Sequence, residues 1–152
     1  MATVKSFRDL DTWKQAFQAA QEIFRLSKSF PQEERFSLTD QIRRSSRAVT
    51  AMIAEAWGRR RYRAVFANKL DEAIGEANET QSWLAHALRC EYLTASDYRS
   101  LDAEYQLIGG RLNRMIDRAD DFCKFAPSTD YRAVRKTPPQ TPDARTDERR
   151  SD

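Results

Sequence analysis

The chain has 152 residues, of which 40% are hydrophobic and 32% charged, with a net charge of +3. That is enough for one domain with a real core, and no run approaches the roughly 18 apolar residues of a membrane span. A global charge this small does not establish nucleic-acid binding, so local clustering must carry any such argument. Four glycines, and no proline between Pro31 and Pro127, leave few turns, so the elements should be long.

The first helix is predicted from about Asp11 to Ser29, with Leu10, Trp13, Phe17, Ala20, Phe24 and Ser27 recurring at three- and four-residue steps. Asp9 or Asp11 can cap its orphan N–H groups, and Phe30-Pro31 ends it.

The second helix starts near Ser37 or Leu38 and has two faces. At about 100° per residue, Leu38, Ile42, Ser45, Val49, Met52, Ile53 and Ala56 gather on one side. Arg43, Arg44 and Arg47 share a roughly 100° arc on the other. Gly58 and the arginines after it mark an end or bend.

The third helix is predicted from about Tyr62 to Glu91. Tyr62, Phe66, Leu70, Ala73, Ala77, Thr80, Leu84 and Ala87 hold a near-heptad spacing, which points to shallow helix crossings. The fourth opens at Thr94, where Asp97 can complete a cap. Leu101, Tyr105, Ile108, Leu112, Met115, Ala119 and Phe122 form its stripe, interrupted by Gly109-Gly110. Two glycines cost roughly 2 kcal/mol relative to alanine; close approach of another helix compensates, or the pair is a tolerated kink. After Phe125 the pattern stops among prolines and polar residues. Residues 127–152 are expected to form a disordered polar tail, and residues 1–126 the folded domain. With no period-2 pattern, the expected class is all-α, an antiparallel up-down-up-down four-helix bundle.

Catalysis finds little support. His86 is the lone histidine, with no nucleophile motif around it, so no catalytic residue is assigned. Cys90 and Cys123 read as packing residues of a reduced, cytoplasmic protein, and the N-terminal segment has no apolar signal sequence. No Glu-x-x-His, P-loop or GxGxxG is present. Glu72, Glu76 and Glu79 share a face but read as salt-bridging carboxylates rather than a metal cluster, so no metal or cofactor is expected.

The arginines are the functional candidates. Arg43, Arg44 and Arg47 form one cluster; Arg59, Arg60, Arg61 and Arg63, with Tyr62 among them, form the second. Guanidinium groups grip phosphate in a fork geometry, and Tyr62 can stack on a base. Against this, Glu55, Glu72, Glu76 and Glu79 can pair with arginines within or between subunits. For the mid-helix group the two readings weigh equally; for the junction group, polyanion contact is the better expectation. Trp57 and Trp83 are candidates for a subunit interface or for ordinary packing at a stripe edge.

The order Phe7-x-x-Leu10-x-x-Trp13, Phe30-Pro31-x-x-Glu34-x-Phe36-x-Leu38-x-x-Gln41-x-Arg43-Arg44, Ile53-Ala54-Glu55-x-x-Gly58-Arg59, Ala73-x-Gly75-x-x-x-Glu79 and Tyr92-Leu93 resembles a known family. It is that of the bacterial four-helix-bundle proteins of 23S rRNA intervening sequences, to which the accessory proteins of diversity-generating retroelements are similar. Where the family pattern reads S-I-x-x-N-I-A-E-G, this chain has Ala48, Val49, Met52, Ile53, Ala54, Glu55 and Ala56, the mark of a diverged subgroup. The resemblance implies a four-helix bundle assembling into a homopentameric ring. It also implies association with RNA or DNA, or with a protein such as a reverse transcriptase, without enzymatic activity.

Overall fold

The computed structural model describes residues 3–124, most of them helical, with no strand among them. A 3-10 turn at Phe7–Asp9 leads into α1 (Asp11–Ser27). A second 3-10 turn (Gln32–Glu34) precedes α2 (Leu38–Gly58), which is followed by α3 (Arg63–Arg89), α4 (Ala95–Asp117) and the single turn α5 (Ala119–Phe122). The expected tail, residues 127–152, and its boundary lie outside the described residues.

The α3 heptad stripe is core along its whole length. Phe66, Leu70, Ala73, Ala77, Thr80, Leu84 and Ala87 are all buried, and only Tyr62, which precedes the helix, is half-exposed. The apolar side of α2 is buried as well, apart from half-buried Met52. Inside this seam the Thr80 hydroxyl donates to that of Ser45 at 2.8 Å, so two buried polar groups satisfy each other. Arg44–Glu79 and Lys69–Glu55 flank that pair. The numbers rise along α2 as they fall along α3. The same opposition holds where Gln81 and Phe66 of α3 meet Asp102 and Phe122, and where Phe24 and Ser27 of α1 meet Arg47 and Arg43 of α2.

Three expectations need correction. The buried face of α1 is Thr12, Ala16, Ala19, Ala20, Ile23 and Ser27; Leu10, Ala20 and Ser27 of the expected stripe are buried, but its aromatic positions lie one residue, or about 100°, off that face. Trp13 and Phe24 are half-buried and Phe17 is 38% exposed. Small residues let α1 sit close to its neighbours, and the rings flank that contact. Asp9 does not cap α1. Its carboxylate accepts from the Lys5 and Ser6 amides at 3.0 Å and closes the preceding turn, while α1 starts after Leu10 without a side-chain cap. The fourth helix breaks at Arg118, although its stripe continues through buried Ala119 to Phe122.

Thr94 caps α4 as expected, its hydroxyl accepting from the Asp97 amide at 3.0 Å. A Cβ added at Gly109 or Gly110 meets nothing within 4 Å, so close approach of another helix in the chain is not what compensates for them. At the end of α3, Glu91 adopts φ 64°. The Tyr92 amide donates back to the Ala87 carbonyl and the Glu91 amide to that of Leu88, each at 2.9 Å. This is a Schellman stop with glutamate where glycine is usual. Among the described residues, no helix is long and apolar enough to cross a membrane.

Candidate functional site

The mid-helix arginines are divided by the geometry of α2. Arg44 leans toward α3, where its guanidinium meets Glu79 at 2.7 Å and Glu76 at 3.8 Å. Glu76 is partly buried, and that burial, with Glu79 beside it, raises its pKa against the pull of Arg44. Among the described residues Glu55 and Glu72 take no arginine; both reach Lys69 at 3.1 Å.

Arg43 and Arg47 lean toward α1. The Arg43 Nε donates to the Ser27 hydroxyl at 2.8 Å, and its guanidinium lies 4.8 Å from the centre of the Phe24 ring. Arg47 lies 5.5 Å from the same centre, and the Lys28 ammonium 4.8 Å from it. Three cations thus share one phenyl ring. Among the described residues no carboxylate lies within 4.0 Å of any of them. An exposed cation–π contact contributes about 0.5–1 kcal/mol, a gain that each of the three cations draws from the ring. The ring opposes their mutual repulsion without neutralising any charge. The cluster is held in place and remains strongly cationic.

Two open recesses lie on this face. One, of about 540 Å³, is walled by Arg35, Phe36, Thr39, Asp40 and the three mid-helix arginines. The other, of about 280 Å³, runs from Ser27 and Lys28 past Gln32 and Arg35 to Thr39 and Arg43. Phe36 is 84% exposed, with the Arg35 guanidinium 5.1 Å from its ring centre. The cleft between α1 and α4 has the opposite sign, with Glu22, Asp97 and Glu104 in its wall. The two flanks of α1 differ in charge.

The junction arginines are dispersed. Arg60 covers Trp57, its guanidinium carbon 3.3 Å from the ring centre, and burial lowers its pKa. Arg63 meets Asp120 at 3.2 Å, with both side chains mostly exposed, so the pair adds little stability. Tyr62 is half-buried at the cap position of α3. Arg59 and Arg61 are exposed, and neither has a carboxylate partner among the described residues. Trp57 and Trp83 are both partly buried against the core. Trp83 also donates to Glu79 at 3.3 Å and packs on exposed His86. Cys90 is exposed, contrary to its expected packing role; Cys123 is half-buried, and burial pushes its thiol pKa up.

The sequence pattern missed Lys28, Arg35, Phe36 and the role of Phe24. The signal was present as basic residues on either side of Phe30-Pro31, a turn that brings the end of α1 beside the start of α2.

The family model described as 23S rRNA-intervening sequence protein matches residues 8–114. The chain belongs to this family. Among solved structures, it is similar to a protein of unknown function from the S23 ribosomal protein family of Bacteroides thetaiotaomicron, known from a crystal structure. The two are 34% identical, with a TM-score of 0.63, over 70% of this chain and 95% of that one. A search of curated proteins finds no match. The family match runs from just before α1 to near the end of α4 and includes both arginine groups.

Proposed function

We propose that this chain is a non-enzymatic, cytoplasmic helical-bundle protein that holds nucleic acid through the α1–α2 cationic face. It does so alone or within a nucleoprotein assembly such as a reverse transcriptase with its RNA. The helices form an antiparallel up-down-up-down bundle, and copies assemble into a homo-oligomer, a pentameric ring by the family resemblance. The observation that carries the reading is the convergence of Lys28, Arg43 and Arg47 on Phe24, with none of the three in an ion pair among the described residues. Such a cluster gains from a polyanion, which supplies the missing charge and releases condensed counterions on binding. Phe36 adds an exposed ring on which a base can stack.

Fluorescence anisotropy with labelled RNA and DNA across a salt series tests this. The expected result is measurable binding at low salt and affinity that falls steeply as salt rises. A folded protein that binds neither at low salt contradicts it.

A second reading, a protein-interaction scaffold whose arginines stabilise the ring, draws support from a different surface. Phe7 meets Trp13 edge-on at 5.4 Å, and Trp13 stacks on exposed Phe17 at 5.0 Å, an aromatic strip that runs from the edge of the core to the surface. Charge reversal at Arg43 and Arg47 separates the two readings. Scaffolding predicts loss of assembly; nucleic-acid binding predicts an intact oligomer with weakened affinity.

A further inference from the structure

We propose that the corner where α1 meets the start of α2 is a seat for a terminal phosphate, so that the cationic face takes hold of phosphorylated strand ends. This rests on the nucleic-acid reading above and adds which part of the strand is recognised.

Lys28, Gln32, Arg35, Thr39 and Arg43 all border the smaller recess. Among the described residues no carboxylate borders it, whereas Asp40 intrudes on the larger one next to it. Arg43 is held in position by the Ser27 hydroxyl and the Phe24 ring. The 21-residue α2 starts here with no side-chain cap, so its first amides present the positive end of the helix.

Thr39, in that first turn, supplies the independent observation. It is only 8% exposed, it forms part of the wall of both recesses, and its hydroxyl has no hydrogen-bond partner among the described residues. The hydroxyl oxygen is itself covered; a buried, unpaired hydroxyl is costly, so side chains that part to admit a phosphate oxygen gain a hydrogen bond there. Charge selects the ligand. An internal phosphodiester carries one negative charge, a terminal monoester about 1.5 to 2 and three strong acceptor oxygens. Three cations with no anion among them match the monoester. The larger recess, with Arg44, Arg47 and Phe36, then receives the strand that follows.

The test uses internally labelled single strands, identical except for a 5′-phosphate, a 3′-phosphate or hydroxyls at both ends. One phosphorylated form is expected to bind about tenfold tighter than the hydroxyl-ended strand, the scale of a charge-assisted contact. Thr39→Val keeps the side-chain shape and removes the hydroxyl; Thr39→Val and Lys28→Gln each move the ratio toward one. Titration of the wild-type protein with inorganic phosphate against chloride at equal ionic strength should shift the amide resonances of Leu38, Thr39 and Asp40, a readout that needs no variant. Equal affinity for all three strands overturns the seat and leaves the nucleic-acid reading standing. A preference that survives both substitutions, or phosphate that leaves those amides unmoved, overturns the assignment to this corner. No strand binding at low salt overturns both.

Discussion

The two arginine groups of this chain look alike in sequence and are used differently in the fold. At the α2–α3 junction, four arginines lie within five consecutive residues, yet Arg60 covers Trp57 and Arg63 turns to Asp120. On the α1–α2 face, Arg43 and Arg47 are joined by Lys28 and Arg35 from across a turn, and three of these cations surround one ring. Density along the chain is therefore a poor guide to density of charge in space. A polyanion site is marked by cations that converge without carboxylates, and the junction group meets neither condition as fully.

The largest effect that sharpens this contrast is expected at Trp57. Trp57→Ala removes the surface on which Arg60 lies and should cost about 2–3 kcal/mol of stability for a half-buried ring, while oligonucleotide affinity stays within about twofold of wild type. Chemical denaturation and anisotropy on the same sample check both. On the other face, Phe24→Leu keeps an apolar side chain but removes the shared ring. Stability should fall by less than about 1.5 kcal/mol, and affinity by up to about tenfold as Lys28, Arg43 and Arg47 lose their common support.

Much of the fold was legible because spacing dominated it. The α3 heptad, the buried side of α2 and the Thr94 cap all follow from periodicity and capping chemistry. The orientation of α1 did not, because Trp13, Phe17 and Phe24 outweigh Ala16, Ala19 and Ile23 in hydrophobic bulk, although the smaller residues are the ones that fit against its neighbours. The site was half legible. Arg43 and Arg47 stand out on the helix period, whereas Lys28, Arg35 and Phe36 join them only through the turn around Phe30 and Pro31. The pattern offers Glu76 and Glu79 as partners for the arginines, but does not reveal that they take Arg44 while its neighbour Arg43 has no carboxylate partner among the described residues.

Two smaller effects address that division. Glu79→Gln releases Arg44 from its 2.7 Å partner and removes a negative charge near the face, so nucleic-acid affinity should rise about threefold, most visibly at low salt. Glu76 concerns stability alone. Its pKa is raised by burial and by Glu79, so the folded state holds this proton more tightly than the unfolded chain does. Stability attributable to Glu76 therefore increases as pH falls through its folded pKa and is lost above it. Glu76→Gln should remove that dependence and change stability at neutral pH by less than about 1 kcal/mol; thermal melts between pH 4 and 8 measure it.

The most direct measurement is the salt dependence of oligonucleotide affinity for three proteins: wild type, Arg43→Glu/Arg47→Glu and Arg59→Glu/Arg61→Glu, each checked for an unchanged oligomer. The account predicts that reversal at Arg43 and Arg47 lowers affinity on the order of 100-fold at low salt and reduces the slope of log affinity against log salt by about two. Reversal at Arg59 and Arg61 should change affinity by less than about fivefold. Equal losses in the two variants, or the larger loss at the junction, would contradict the claim that the α1–α2 face is where the polyanion binds.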